Sequence, residues 1–102
     1  MMTVIAKLKV RAGADADFEA AARDMIAHVK ANEPGTIVYL CHRSTADPTV
    51  YAFYEVYADQ GAFAAHGGSP AMQAFFKKMG GILDGRPEIE LYEEIGGKRP
   101  NA

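Results

Sequence analysis

Two side chains in this sequence bring acid–base chemistry into aromatic surroundings. They are Glu55 and His66, both within residues 49–66, TVYAFYEVYADQGAFAAH. An imidazole, with an ordinary pKa of about 6.5, accepts protons at neutral pH, and a neighbouring carboxylate fixes its tautomer and stabilises its cation. Tyr51, Phe53, Glu55 and Tyr57 recur at period two, so an extended chain throws them to one face and sends Ala52, Tyr54 and Val56 to the other. After a break at Asp59-Gln60-Gly61, residues Ala62 to His66 read as a helical turn on which Phe63 and His66, three apart, share a face. A base, a carboxylate to orient it and apolar walls are the parts needed to take a proton from a flat, weakly acidic molecule. Glu55 is the expected orienter of His66. Tyr51, Phe53, Phe63, Met72 and Phe76 are the expected walls, and Tyr39 the expected donor to a substrate oxygen.

Each of these residues also has a structural reading. His66 fits a helix-end histidine bonded to a backbone carbonyl near Gly67-Gly68. Glu55 fits a partly exposed charge, or an ion pair across a dimer interface with an arginine such as Arg43. The stripe Phe63, Met72, Phe75, Phe76 and Met79 fits plain core packing. Cys41 and His42 are strand neighbours that face opposite ways, which argues against a metal or Cys-His nucleophile site built from them. His28, among polar residues of a helix, reads as solvated. Gly67-Gly68 and Gly80-Gly81 read as helix breaks, since neither sits between a strand and a helix as a phosphate cradle does.

The elements that must hold these groups follow from the hydrophobic pattern. Residues 3–11 (TVIAKLKVR) alternate Val4, Ala6, Leu8 and Val10 against Ile5, Lys7 and Lys9, the signature of a strand. From Ala14 to Ala31, Phe18, Ala21, Ala22, Met25, Ile26 and Val29 recur at three and four, with Asp15, Asp17 and Glu19 at the start, where the helix dipole favours them. Asn32-Glu33-Pro34-Gly35 stops that helix. Residues 36–43 (TIVYLCHR) make a second strand, joined to the third by the turn cluster Ser44-Thr45-Ala46-Asp47-Pro48. Ser69-Pro70 restarts a helix as N-cap and first residue, and residues 86–95 alternate as a last strand. The order β-α-β-β-α-β is that of the α+β, ferredoxin-like split βαβ unit, an antiparallel sheet with its long helices on one face. Tyr54, Val56, Ile37 and residues of the first and last strands are too apolar to leave the other face wet, so a homodimer through the sheet faces is expected.

Composition bounds the function. A chain of 102 residues, 49% hydrophobic and 24% charged, suits one soluble domain, expected over residues 1–96 with 97–102 as a flexible tail. The 11 Lys and Arg are scattered among 13 Asp and Glu, so no stripe tracks a phosphate backbone and nucleic acid is not an expected partner. No apolar run approaches the roughly 20 residues of a membrane span, and Met1-Met2-Thr3-Val4 lacks a signal pattern. A cytoplasmic protein is expected, in keeping with the lone Cys41.

The segments TVIAKLKV, NEPGTIVY, YAFYEVYAD and AFAAHGGSPAMQAFF, in this order and spacing, resemble the antibiotic biosynthesis monooxygenase domain, and within it the small bacterial quinol monooxygenases. The resemblance spans nearly the whole length. It implies a dimeric α+β barrel with a pocket between each sheet and its own helices. It also implies oxygenation of a quinol or polycyclic phenol by O₂, with no metal or flavin cofactor, and it carries over His66 and Glu55. In such chemistry the substrate is the reductant: loss of a phenolic proton gives an anion that passes one electron to O₂, and the caged radicals recombine. The haem-degrading branch depends on a tryptophan and a first-strand asparagine, whereas this chain has no Trp and no Asn before Asn32. Two alternatives keep the fold and change the role: isomerisation or other proton transfer on a small carbonyl compound, and a non-catalytic dimer that binds a small molecule.

Overall fold

A computed structural model of the protein describes residues 1–100. It runs β1 (Met2–Lys9), α1 (Asp15–Asn32), β2 (Thr36–Arg43), β3 (Val50–Tyr57), α2 (Gln60–Gly67), α3 (Pro70–Met79) and β4 (Glu88–Glu93). The strands form one sheet in the order β2-β3-β1-β4, antiparallel at every pairing. This is the expected α+β, ferredoxin-like arrangement, with the second crossover divided into two helices.

Period two decides which side chains meet. Pairing of Val4 with Glu55, Ala6 with Phe53 and Leu8 with Tyr51 lines these residues up on one face, and all six are buried. Helix α1 lays Phe18, Ala21, Ala22, Met25 and Val29 on that face, and α3 adds Phe75 and Met79. Phe18, wholly buried, anchors the layer: its ring lies 4.4 Å from Tyr51 and 6.4 Å from both Phe53 and Phe75.

Three boundaries differ from the sequence pattern for local reasons. Helix α2 is longer than the expected turn, because Asp59 caps it by accepting from the Ala62 N–H at 2.8 Å, which draws Gln60 and Gly61 into the first turn. The last strand is shorter, pairing only over Glu88–Glu93; Pro87, just before it, has no N–H to give to β1. The first strand stops at Lys9, although Val10 makes an isolated bridge to Leu83. Ser69 caps α3 as expected, accepting from the Met72 N–H at 3.1 Å, and its hydroxyl donates to the His66 carbonyl at 2.9 Å, tying α3 to the end of α2.

The outer face carries Ile5, Val38 and Tyr54, all half-buried, beside Leu40 and Tyr92, which are 51% and 46% exposed. Ile37 sits at a register irregularity between Thr36 and Val38 and is about half exposed. Of the tail expected at 97–102, Asn101 and Ala102 lie outside the described residues, and Arg99 pairs with Glu94 at 2.5 Å. No helix among the described residues is long and apolar enough to cross a membrane.

Candidate functional site

Helix α2 delivers His66 into the layer between sheet and helices, where it is 3% exposed. Its position depends on the turn after α1. Glu33 closes that helix, its N–H donating to the Val29 carbonyl at 3.1 Å, and Pro34-Gly35 then turns the chain into β2. A Cβ on Gly35 would stand 2.7 Å from the Ala62 Cβ, so only glycine lets α2 approach this closely. The close approach brings residues 33 apart in sequence together: His66 Nδ1 and Glu33 Oε1 lie 2.8 Å apart. The Thr36 hydroxyl donates to the same oxygen at 2.9 Å.

With an ionised Glu33 as acceptor, the His66 proton sits on Nδ1 and the ring presents Nε2 as its free lone pair. Nε2 is fully buried and has no partner among the described residues. It belongs to a ring that borders a cavity of about 140 Å³ lined by residues of β1, β2, β3, α2 and α3, with Pro87 and, from β4, Ile89 at its side. A buried polar atom with no partner is uncommon enough to call for an explanation.

Of the residues expected from sequence, His66, Glu55, Tyr39, Phe53, Phe63, Met72 and Phe76 all border this cavity. Tyr39 and Tyr57 flank the imidazole, with ring centroids 5.2 and 5.5 Å away. Tyr51 is elsewhere. It shares the face of Phe53, as period two requires, but it stands one pair further along the strand, and its hydroxyl donates to Glu19 at 2.7 Å. Arg43 pairs with the same carboxylate and lies over the Tyr51 ring, 5.5 Å from its centroid. These groups line a larger depression, about 410 Å³, between α1 and β2. Its charges already satisfy one another; the smaller cavity holds the unpaired imidazole and is the candidate site.

Glu55 does not orient His66. Its Oε1 accepts from the Tyr57 hydroxyl at 2.5 Å. Burial raises its carboxyl above the ordinary range, opposed by that hydrogen bond and by the field of His66. Burial, with the carboxylates of Glu55 and Glu33, also pushes the Tyr39 phenol upward, which keeps it a proton donor at neutral pH. The orienting residue is Glu33, which the sequence shows only as part of a helix stop. His28 is likewise not simply solvated: its Nε2 lies 3.2 Å from Glu33 Oε2. That is ion-pair distance without hydrogen-bond alignment, so Oε2 is left with no hydrogen-bond partner among the described residues. No set of three His, Cys, Asp or Glu side chains is arranged to hold a metal ion among the described residues. Cys41 is half-buried, and burial pushes its thiol up to about 11, away from nucleophilic use.

The family model described as antibiotic biosynthesis monooxygenase matches residues 1–78, which include Glu33, Glu55 and His66. Among solved structures, a candidate antibiotic biosynthesis monooxygenase from Caulobacter crescentus CB15 is 39% identical, with 93% of this chain and 90% of that chain covered and a TM-score of 0.90. A conserved protein from Methanosarcina mazei Go1 (24% identity, 91% of each chain, TM-score 0.85) and Rv0793 from Mycobacterium tuberculosis (21% identity, 96% and 98% covered, TM-score 0.87) share the fold. No curated protein matches the chain.

Proposed function

Since the chain belongs to the antibiotic biosynthesis monooxygenase family, we propose that it is a cofactor-independent oxygenase of quinols or related polycyclic phenols, with His66 as its base. The observation that carries this reading is the His66 ring itself, which borders an apolar cavity, with Nδ1 held by Glu33 and Nε2 buried and unpaired among the described residues. A substrate hydroxyl at Nε2 gives up its proton, and the imidazolium is stabilised by the Glu33 carboxylate. The resulting anion passes one electron to O₂. Recombination of the two radicals forms a C–O bond and a peroxide anion, which takes back the proton held by His66. The resulting hydroperoxide loses its distal hydroxyl together with the hydrogen on the same carbon, as water, to leave a carbonyl. In this reading Phe53, Phe63, Met72 and Phe76, which line the cavity, hold the ring, and Tyr39 donates to an oxygen that gains negative charge.

Metal-chelated, flavin-free protein is expected to consume O₂ with at least one member of a panel of hydroquinones, faster than the uncatalysed reaction. Uptake no faster than background across the panel would end this reading. The pair His66–Glu33 could also move a proton within a small carbonyl compound without oxygen, and product analysis under nitrogen separates that reaction from oxygenation.

The proposal includes a homodimer joined through the outer sheet face, in the cytoplasm. The support is the apolar surface there, with Leu40 and Tyr92 about half exposed beside Ile5, Val38 and Tyr54. Gel filtration with light scattering should give twice the chain mass, and Leu40→Glu should shift the protein to one chain. A wild type that elutes as one chain at micromolar concentration would remove the dimer.

A further inference from the structure

The unexplained atom beside the site is Glu33 Oε2. It is buried and lacks a hydrogen-bond partner among the described residues, while the other oxygen of the same carboxylate serves His66 Nδ1 and Thr36. The group nearest to completing it is His28. This residue lies in the last turns of α1, with its side chain 27% exposed, its Nε2 3.2 Å from Oε2 and its Nδ1 3.3 Å from the Asn32 amide nitrogen. The Asn32 amide also donates to the His28 carbonyl at 3.2 Å, which holds both groups on the same turn.

One buried carboxylate thus stands between two imidazoles, one at the cavity and one at the surface. We propose that His28 is a positioning residue for His66: acting through Glu33 Oε2, it governs how much of the carboxylate's field the base receives. When His28 is neutral, Glu33 is committed to His66 and holds its tautomer with Nε2 unprotonated. When solvent protonates His28, the surface cation draws on the same negative charge, and the bond from Glu33 to His66 weakens. Two like charges sharing one counter-ion titrate as a pair rather than singly. The other groups facing His66 are Tyr39 from β2 and Glu55 and Tyr57 from β3. Burial holds both phenols protonated, so among the described residues, and beside the shared Glu33 itself, Glu55 is the group that could mimic such coupling.

This inference rests on His66 as the base of the proposed reaction, but its test needs no substrate. The ring-nitrogen NMR shifts of His66 are followed against pH in the wild-type protein, in His28→Gln and in Glu55→Gln. The expected wild-type curve has two inflections, one of them coincident with the titration of His28 and separated from the other by about one pH unit or more. In His28→Gln the shared inflection vanishes and His66 keeps its added proton to higher pH; in Glu55→Gln both inflections remain. A single wild-type inflection would overturn the proposal even if His28→Gln failed to fold. So would a second inflection that survives in His28→Gln or disappears in Glu55→Gln. Absence of oxygen uptake bears on the reaction and leaves this coupling to be read on its own.

Discussion

His66→Ala protein should turn over a hydroquinone that the wild type oxidises about 10²–10⁴-fold more slowly, the range general-base catalysis supplies. The loss should fall on kcat. The walls that hold a flat ring, Phe53, Phe63, Met72 and Phe76, are untouched by the change, so KM should move much less. The substitution also removes the hydrogen-bond partner of Glu33 Oε1, which retains the Thr36 hydroxyl, so folding should be weakened and not abolished. Circular dichroism and thermal melting check that the residual activity belongs to folded protein. Added imidazole, which fits the space left by the ring, should restore part of the rate. Oxygen uptake at the wild-type rate by a folded His66→Ala protein would strip His66 of the role, whatever the family of the chain.

That expectation draws on parts of the molecule that the sequence displayed very unequally. Strands with alternating side chains are local objects, and Val4, Ala6 and Leu8 on β1 and Phe53 and Glu55 on β3 face the helices as their spacing requires. Helix starts are local too. Ser69 announces α3, and Asp59 announces α2 three residues before Ala62, a cap easily passed over because Gly61 follows so closely. Period two assigns a face but not a position along it. That is why Tyr51 shares the face of Phe53 yet ends beside Glu19 and Arg43, outside the cavity. Glu33 is harder still. Nothing within a few residues of it points to His66, because the contact depends on α2 settling against Gly35, a packing event between distant segments. Residues near in sequence advertise their roles through spacing; a pair 33 residues apart does so only after folding.

The same contrast yields a test between two carboxylates. Glu55, two residues from Tyr57 on one strand, is the acid that sequence places with the histidine, whereas Glu33 is the acid that touches it. Glu33→Gln keeps the shape of the side chain and one oxygen able to accept from Nδ1, but removes the negative charge that stabilises the imidazolium as the proton moves. Breaking a buried ion pair by neutralising one partner typically costs about 3–5 kcal/mol. The proton that His66 takes from the substrate creates the imidazolium on the reaction path, so that cost should appear as a fall in kcat of about 10²–10⁴-fold with a small change in KM. Glu55→Gln should act differently. The wild-type carboxyl is already held toward its neutral form by burial, and the amide oxygen can still accept from Tyr57, so kcat should change less than about tenfold. Steady-state oxygen uptake by the two variants, measured side by side at neutral pH, decides between them. A larger loss in Glu55→Gln than in Glu33→Gln would mean that the charge supporting the base comes from the strand and not from the turn. The 2.8 Å contact between His66 and Glu33 would then be a structural tie that holds α2 to the end of α1.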